Sequence, residues 1–155
     1  MIADALLLLS GSMSAQNVIT GQTVTGTGNI LSTNTIDLSQ VRDIGEGEPV
    51  YLRSQVTVAQ LGCTSVEIQV IAADDAALTT NVTVIGSTGA IPLASLVINA
   101  RFACVVNPRI ANVGQRYLGC RYVIVGTSTA GAFVTDAGPG VQDGQAFYPS
   151  GFTVI

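Results

Sequence analysis

Carboxylates are the most promising reactive groups in this sequence, which contains no histidine. The usual general base and the commonest metal ligand are therefore absent, and Ser-His-Asp and Cys-His catalytic arrangements are excluded. Two acidic pairs remain, Glu46 with Glu48 in a glycine-rich stretch, and Asp74 with Asp75. A glycosidase needs two carboxylates about 5–9.5 Å apart in a cleft. The chain has no tryptophan to line such a cleft, so we expect these acids to be solvated or locally paired. A hydrolase that uses Glu46 and Glu48 stays an alternative.

Metal and phosphate sites have little support in the sequence. Glu46, Glu48, Asp136 and Asp143 are oxygen donors of the kind that calcium prefers, but they do not form the Asp-x-Asp-x-Asp-Gly pattern of a calcium loop. Residues 138–144 (GPGVQDG) are glycine-rich like a phosphate loop, yet they lack its Lys-Ser/Thr ending. We therefore expect no cofactor.

Cysteines and arginines are the remaining candidates for chemistry. Cys63, Cys104 and Cys120 are odd in number and lack C-x-x-C spacing. Cys104 and Cys120 fall in strand-like segments, where we expect free thiols that act as small buried hydrophobes.

Arg53, Arg101 and Arg121 each lie in an alternating segment, on the face opposite the apolar side chains. Their planar guanidinium groups can pair with carboxylates across a subunit boundary. The simpler interpretation is that they keep an outer face hydrated.

The composition excludes several classes of partner. Apolar residues make up 48% of the chain and charged residues only 10%, against about 25% charged in typical domains. Six arginines oppose ten acids, so we expect no binding to nucleic acid or to anionic membranes. The N-terminus lacks the positive region of a signal peptide, and no apolar run approaches the ~20 residues of a membrane span. The sequence predicts a protein made in the cytoplasm, with an uncharged polar surface, a partner-covered surface, or both.

Alternation of apolar and polar residues predicts most of the secondary structure. From residue 50 to residue 58, Val50, Leu52, Ser54, Val56 and Val58 face one way, which is typical of a half-buried strand. The other alternating segments are 65–73, 98–106 (with Ile98, Ala100, Phe102 and Cys104 inward) and 115–125 (with Leu118, Cys120, Tyr122 and Ile124 inward). Shorter strands are expected in 1–9, 16–24, 29–38, 81–85, 90–96 and 130–136, a loop around Gly26 and Gly28, and one helical turn in 72–80. The pattern predicts a single all-β domain over residues 1–155, a sandwich or barrel.

Three stretches carry a resemblance to a known family: residues 32–52 (STNTIDLSQVRDIGEGEPVYL), 86–96 (GSTGAIPLASL) and 148–154 (YPSGFTV). They resemble the capsid decoration (cement) proteins of tailed phages, of the kind found on a Bordetella podophage. The resemblance implies a β-sandwich of the jelly-roll type. It also implies a virion protein without catalytic activity, which sits as a homotrimer on the outside of the head, contacts the major capsid protein and stabilises the assembled shell.

Apolar residues near both chain ends, together with the three strand arginines, are the expected subunit and capsid contacts. They are Ile2, Leu6, Leu8, Arg53, Arg101, Arg121, Phe147, Tyr148, Phe152 and Ile155. The terminal residues are included because apolar ends have no other evident reason to be ordered. The alternative is that the ends are simply outer strands of the sandwich. A second alternative function is a carbohydrate- or receptor-binding β-sandwich of a tail fibre, which would need exposed aromatic side chains.

Overall fold

The computed structural model describes residues 5–16, 18–39, 49–107 and 115–139, and these form ten strands. The strands are β1 (Leu8–Ser10), β2 (Ser12–Met13), β3 (Ile19–Thr20), β4 (Gln22–Thr23), β5 (Gly26–Leu31), β6 (Ile36–Asp37), β7 (Val50–Ala73), β8 (Thr83–Pro92), β9 (Arg101–Val105) and β10 (Tyr117–Pro139). The helical content of the described residues is one turn of 3-10 helix, Leu93–Ser95. The prediction of an all-β sandwich is confirmed.

Two long antiparallel strands, β7 and β10, form the centre of the fold. They pair along their length, from Ala73 opposite Tyr117 to Val50 opposite Pro139. On the far side of β10 lie β1, β4, β5 and β6, and on the far side of β7 lie β8 and β9. The segments 50–58 and 65–73, which the sequence predicts as two strands, therefore belong to one.

Both long strands bend at the same level, which folds the pair into two layers. Tyr122 and Phe133 are eleven positions apart on β10, which would be about 36 Å in a straight strand, yet their ring centroids are 5.0 Å apart. The register of the pair is interrupted through the bend. Gly62 and Gly126 take φ values of +83° and +89° there, a backbone region that glycine enters without a steric penalty.

We name the layers by the parts of β7 and β10 that they contain. Layer A holds residues 50–58 and 132–139, flanked by β1, β4 and β9. Layer B holds residues 65–73 and 117–125, flanked by β5, β6 and β8. The core between the layers contains the predicted inward residues Leu52, Val56, Val66, Ile68, Val70, Cys104, Leu118, Cys120, Tyr122 and Ile124.

Two residues predicted to face inward are exposed, Val58 by 49% and Ile98 by 60%. Ile98 lies in a turn before β9 begins at Arg101, and for Val58 the cause is a β-bulge. Adjacent residues of β10, Ala132 and Phe133, pair with Val58 and Val56, which are two positions apart. The extra residue on β7 changes the side that the following residues face, so the alternation that holds up to Val56 fails beyond it.

Three further predictions about local structure are wrong. The expected helical turn in 72–80 is a non-helical turn, because the Asp75 carboxylate accepts hydrogen bonds from the backbone N–H groups of Thr79 and Thr80. The expected loop around Gly26 and Gly28 is strand β5, which pairs with β10. The two strands expected in 81–85 and 90–96 are one strand, β8, which ends at Pro92.

Candidate functional site

The structure covers half of the predicted contact residues. Ile2, Phe147, Tyr148, Phe152 and Ile155 lie outside the described residues, as do Glu46, Glu48 and Asp143. Leu6 precedes β1 and is 86% exposed, whereas Leu8 is buried in β1 opposite Asp136. Within this chain, Leu8 therefore packs in the interior and Leu6 presents its side chain outward.

Arg53 lies on β7 directly opposite Asp136 on β10 and forms an ion pair with it. The guanidinium donates from Nε to Asp136 Oδ1 at 3.1 Å and from Nη2 to Asp136 Oδ2. The Asp136 carboxylate has no exposed surface. Burial raises the pKa of Asp136, and the Arg53 guanidinium opposes that rise. A side chain at Gly138 would collide with this guanidinium, so glycine there leaves the room that the ion pair needs.

A line of hydroxyl groups lies on the core side of layer A. The Thr135 hydroxyl is 2.7 Å from the Ser54 hydroxyl and 2.6 Å from the Tyr122 hydroxyl. All three residues are buried, and burial raises the pKa of Tyr122. Because Tyr122 belongs to layer B, its hydroxyl connects the two layers through a hydrogen bond that hydrophobic packing alone would not specify.

The other two candidate arginines differ from Arg53 in their surroundings. Arg121 donates from Nε and Nη2 to Gln69 Oε1, at 2.9 Å and 2.6 Å, and Gln69 in turn donates to Glu67 at 2.7 Å. Arg101 is exposed on β9 and forms no ion pair with another described residue. The arginine contacts described here lie within one chain, and pairing across a subunit boundary stays a prediction.

The described carboxylates are held by neighbouring side chains or backbone groups. The pairs are Asp37 with Arg116, Glu67 with Ser87 and Gln69, Asp74 with Asn81, Asp75 with Thr79 and Thr80, and Asp136 with Arg53. Hydrogen bonds from these partners lower the pKa of Asp37, Glu67 and Asp75. The part of the chain that the structure describes contains no group of three His, Cys, Asp or Glu residues placed to hold a metal ion.

The three cysteines are free and buried, which confirms the prediction for Cys104 and Cys120 and adds Cys63. Burial raises the pKa of each thiol, to about 11 for Cys104. They are therefore protonated at neutral pH and pack as small apolar side chains.

A cluster of exposed aliphatic side chains at the bend was not predicted from the sequence. Backbone bonds from Asn99 N to Val56 O and from Gln60 N to Leu96 O lay residues 96–100 beside residues 56–60. This brings Val58, Leu61, Val97 and Ile98 to the same end of the sandwich, each between 49% and 60% exposed. We call these four residues the bend surface. The signal in the sequence is the absence of charge from residues 54–66 and 76–100.

The family of the chain follows from comparison with known proteins. The described residues contain no helix long and apolar enough to cross a membrane. No curated protein matches the chain. The family model Bbp16 matches residues 18–137, which is more than half of the sequence and includes most of the sandwich. The chain therefore belongs to the Bbp16 family, a Bordetella phage protein family.

Proposed function

We propose that this protein is a capsid decoration protein, which binds the outside of the assembled phage head as a homotrimer and contacts the major capsid protein. It acts by stabilising the shell and catalyses no reaction. Its membership of a phage family gives the context for this proposal.

The proposal rests on the positions of the charged and the apolar side chains in the sandwich. The described carboxylates are held by neighbours, several within hydrogen bonds of 2.6–2.9 Å, so they serve the fold and are poorly placed to act as free acids or bases. Aliphatic side chains, in contrast, remain on the surface at the bend. This distribution suits a protein whose activity is to cover apolar surface on a neighbour.

The physical mechanism is linkage between binding and shell stability. A protein that binds the assembled shell, and not the free subunits, stabilises the shell by mass action, by about 2.7 kcal/mol per site at a concentration one hundred times Kd. Three binding faces in one trimer raise the avidity above that of a single contact.

The test is binding to undecorated heads. The purified protein is mixed with heads that lack it, and we expect it to sediment with them, to saturate, and to raise their dissociation temperature as its concentration rises. Free capsid subunits serve as the control and should not bind. Failure to sediment with the heads under any ionic condition would contradict the proposal. Strong and specific signals on a glycan array would instead favour the receptor-binding alternative.

A truncation tests the predicted role of the C-terminal residues. Deleting residues 147–155 should leave a β-rich circular dichroism spectrum and remove either trimer formation or head binding. Unchanged mass and unchanged binding would show that Phe147, Tyr148, Phe152 and Ile155 make no essential contact.

A further inference from the structure

We propose that the core side of layer A contains a binding site for one internal water molecule, held by the hydroxyl groups of Ser10 and Tyr122. The bound water joins strand β1 to layer B through hydrogen bonds. This site belongs to the chain itself and goes beyond the proposed function, since it exists whether or not the protein binds a phage head.

The first step is that three neighbouring strands place hydroxyl groups in one row. Ser10 on β1 lies directly opposite Thr135 on β10, and Thr135 lies directly opposite Ser54 on β7. Side chains that are opposite in antiparallel strands point to the same face, with Cβ atoms about 5 Å apart. The hydroxyl groups of Ser54 and Thr135 face the core, where Tyr122 reaches them from layer B. Ser10 therefore faces the core as well.

The second step is that Ser10 is buried without a partner. The residue has no exposed surface, and its Oγ atom has no hydrogen-bond partner among the described residues. It nevertheless lies beside the phenol of Tyr122, because burial raises the pKa of Tyr122 and the hydroxyl groups of Ser10 and Thr135 oppose that rise. A hydroxyl group that is removed from solvent and left unbonded lowers the stability of the fold. Its burial here points to a partner that is not a protein group.

The third step is a count of hydroxyl protons. Ser54, Thr135 and Tyr122 carry one each, and two hydrogen bonds join the three groups, at 2.7 Å and 2.6 Å. Each bond uses one proton, so one proton at an end of the row has no acceptor within the row. The proton of Ser10 is a second. The thiol of Cys120 also lies near Tyr122, but its sulfur is only a weak acceptor.

A water molecule supplies the missing acceptor for both protons. Internal waters typically make about three hydrogen bonds to buried polar groups that lack other partners. The row then runs from Ser54 through Thr135 to Tyr122, which donates to the water, and Ser10 donates to the same water. The side chains of Ser10, Ser54 and Cys120 are short and uncharged, so this part of the core suits a small neutral ligand and offers no counter-charge to an ion.

A high-resolution crystal structure of the full chain tests the site without any substitution. We expect electron density for one water about 3 Å from both Ser10 Oγ and the hydroxyl oxygen of Tyr122. A direct hydrogen bond from Ser10 to Tyr122 or to a backbone carbonyl, with no water in contact with either hydroxyl group, would overturn the inference.

A substitution tests the site in solution. The methyl groups of Ser10→Val occupy the position of the water, so oxygen-17 relaxation dispersion, which counts internal waters, should find one fewer in this variant. Globular proteins hold on the order of one buried water per 27 residues, so the readout is the difference between variants. The matched control is Ser128→Ala, at a buried serine that already donates to Gln60, and it should not lower the count. An unchanged count in folded Ser10→Val contradicts the site.

The sign of a stability change gives a third test. In an occupied site, Ser10→Ala takes a partner away from the water and should raise the equilibrium constant of unfolding about fivefold. In a dry site, the same substitution removes an unbonded hydroxyl group and should lower that constant. Urea unfolding is the measurement, and a constant that is unchanged or lowered rules the water out. None of these results depends on head binding, so the proposed function is tested separately.

Discussion

The two layers of the sandwich share the same pair of strands but differ in what those strands bury. In layer B, the buried side chains of β7 and β10 are almost entirely apolar, among them Val66, Ile68, Leu118 and Ile124. In layer A, Leu52, Val56 and Phe133 share the core side with the buried polar residues Ser54 and Thr135, and Asp136 is buried on the opposite face with Arg53. The boundary between the two compositions is the bend.

The difference shows that the burial of one strand face and the register of strand pairing are determined by different residues. Apolar alternation places one face of a strand inward, but a shift by two residues preserves that pattern. Layer A removes this ambiguity, because the consecutive cross-strand pairs Arg53–Asp136 and Ser54–Thr135 each match polar groups at one register. Layer B supplies much of the apolar burial, and the polar pairs of layer A fix the alignment of the two strands within that layer.

The largest effect is expected from a cavity in layer B. Ile68 is fully buried, so Ile68→Ala should lower the free energy of unfolding by about 3–4 kcal/mol through lost burial and an unfilled cavity. Urea unfolding followed by circular dichroism measures the loss. Val125→Ala, on an exposed position of the same layer, is the control and should change stability little. Similar losses from the two variants would contradict the assignment of Ile68 to the core.

A slightly smaller loss is expected when the ion pair of layer A is broken. Asp136→Ala removes the buried partner of Arg53, whose side chain is only 14% exposed, and should cost about 3 kcal/mol. The control is Asp37→Ala, which breaks an exposed ion pair with Arg116 and should have little effect in the same urea titration.

The double variant Arg53→Met/Asp136→Leu distinguishes register from stability. It removes both charges, so it should recover much of the stability lost in Asp136→Ala. If the pair sets the register, the double variant will show additional amide resonances from shifted strand pairing. A single set of resonances would assign the register to other contacts.

Sequence patterns predicted layer B well, because the direction of its side chains follows from the alternation of neighbouring residues along each strand. Val66, Ile68 and Val70 alternate with polar residues over a segment without glycine, and their inward direction follows from the period of a strand. The same reasoning placed the inward face of 115–125 correctly, although β10 itself runs on to Pro139.

The bend and the ion pair could not be predicted in this way, because both depend on partners distant in the chain. The bulge after Val56 is defined only by its pairing with Ala132 and Phe133, and it reverses the direction of Val58. From the sequence alone, Asp136 is a possible calcium ligand at the surface. Its burial follows from Arg53, which lies 83 positions earlier. The bend surface was missed for the same reason, since residues 58 and 98 become neighbours only after folding.

The hydroxyl contact between the layers should contribute about 1 kcal/mol. Tyr122→Phe keeps the ring that packs on Phe133 and removes the hydrogen bond to Thr135, whose hydroxyl retains Ser54 as a partner. Tyr117→Phe, at a partly buried position whose ring packs under the Arg116 guanidinium, is the matched control. Urea unfolding is again the measurement. A loss above about 3 kcal/mol would mean that the hydroxyl network acts as a unit and is lost together.

The smallest effect concerns the Asp75 turn, where a carboxylate outside the layers contrasts with the buried Asp136. Hydrogen bonds from Thr80 and Thr79 lower the pKa of Asp75 to about 2 from a usual value of 3.8. A lowered pKa in the folded state means that this contribution to stability is complete above pH 3.8 and is lost as the pH falls towards 2. The carboxyl carbon resonance should therefore titrate with a midpoint near 2. Asp75→Asn should flatten the acid dependence of stability between these two values, and Asp74→Asn should leave it in place. A midpoint near 3.8 would show that the turn is open in solution.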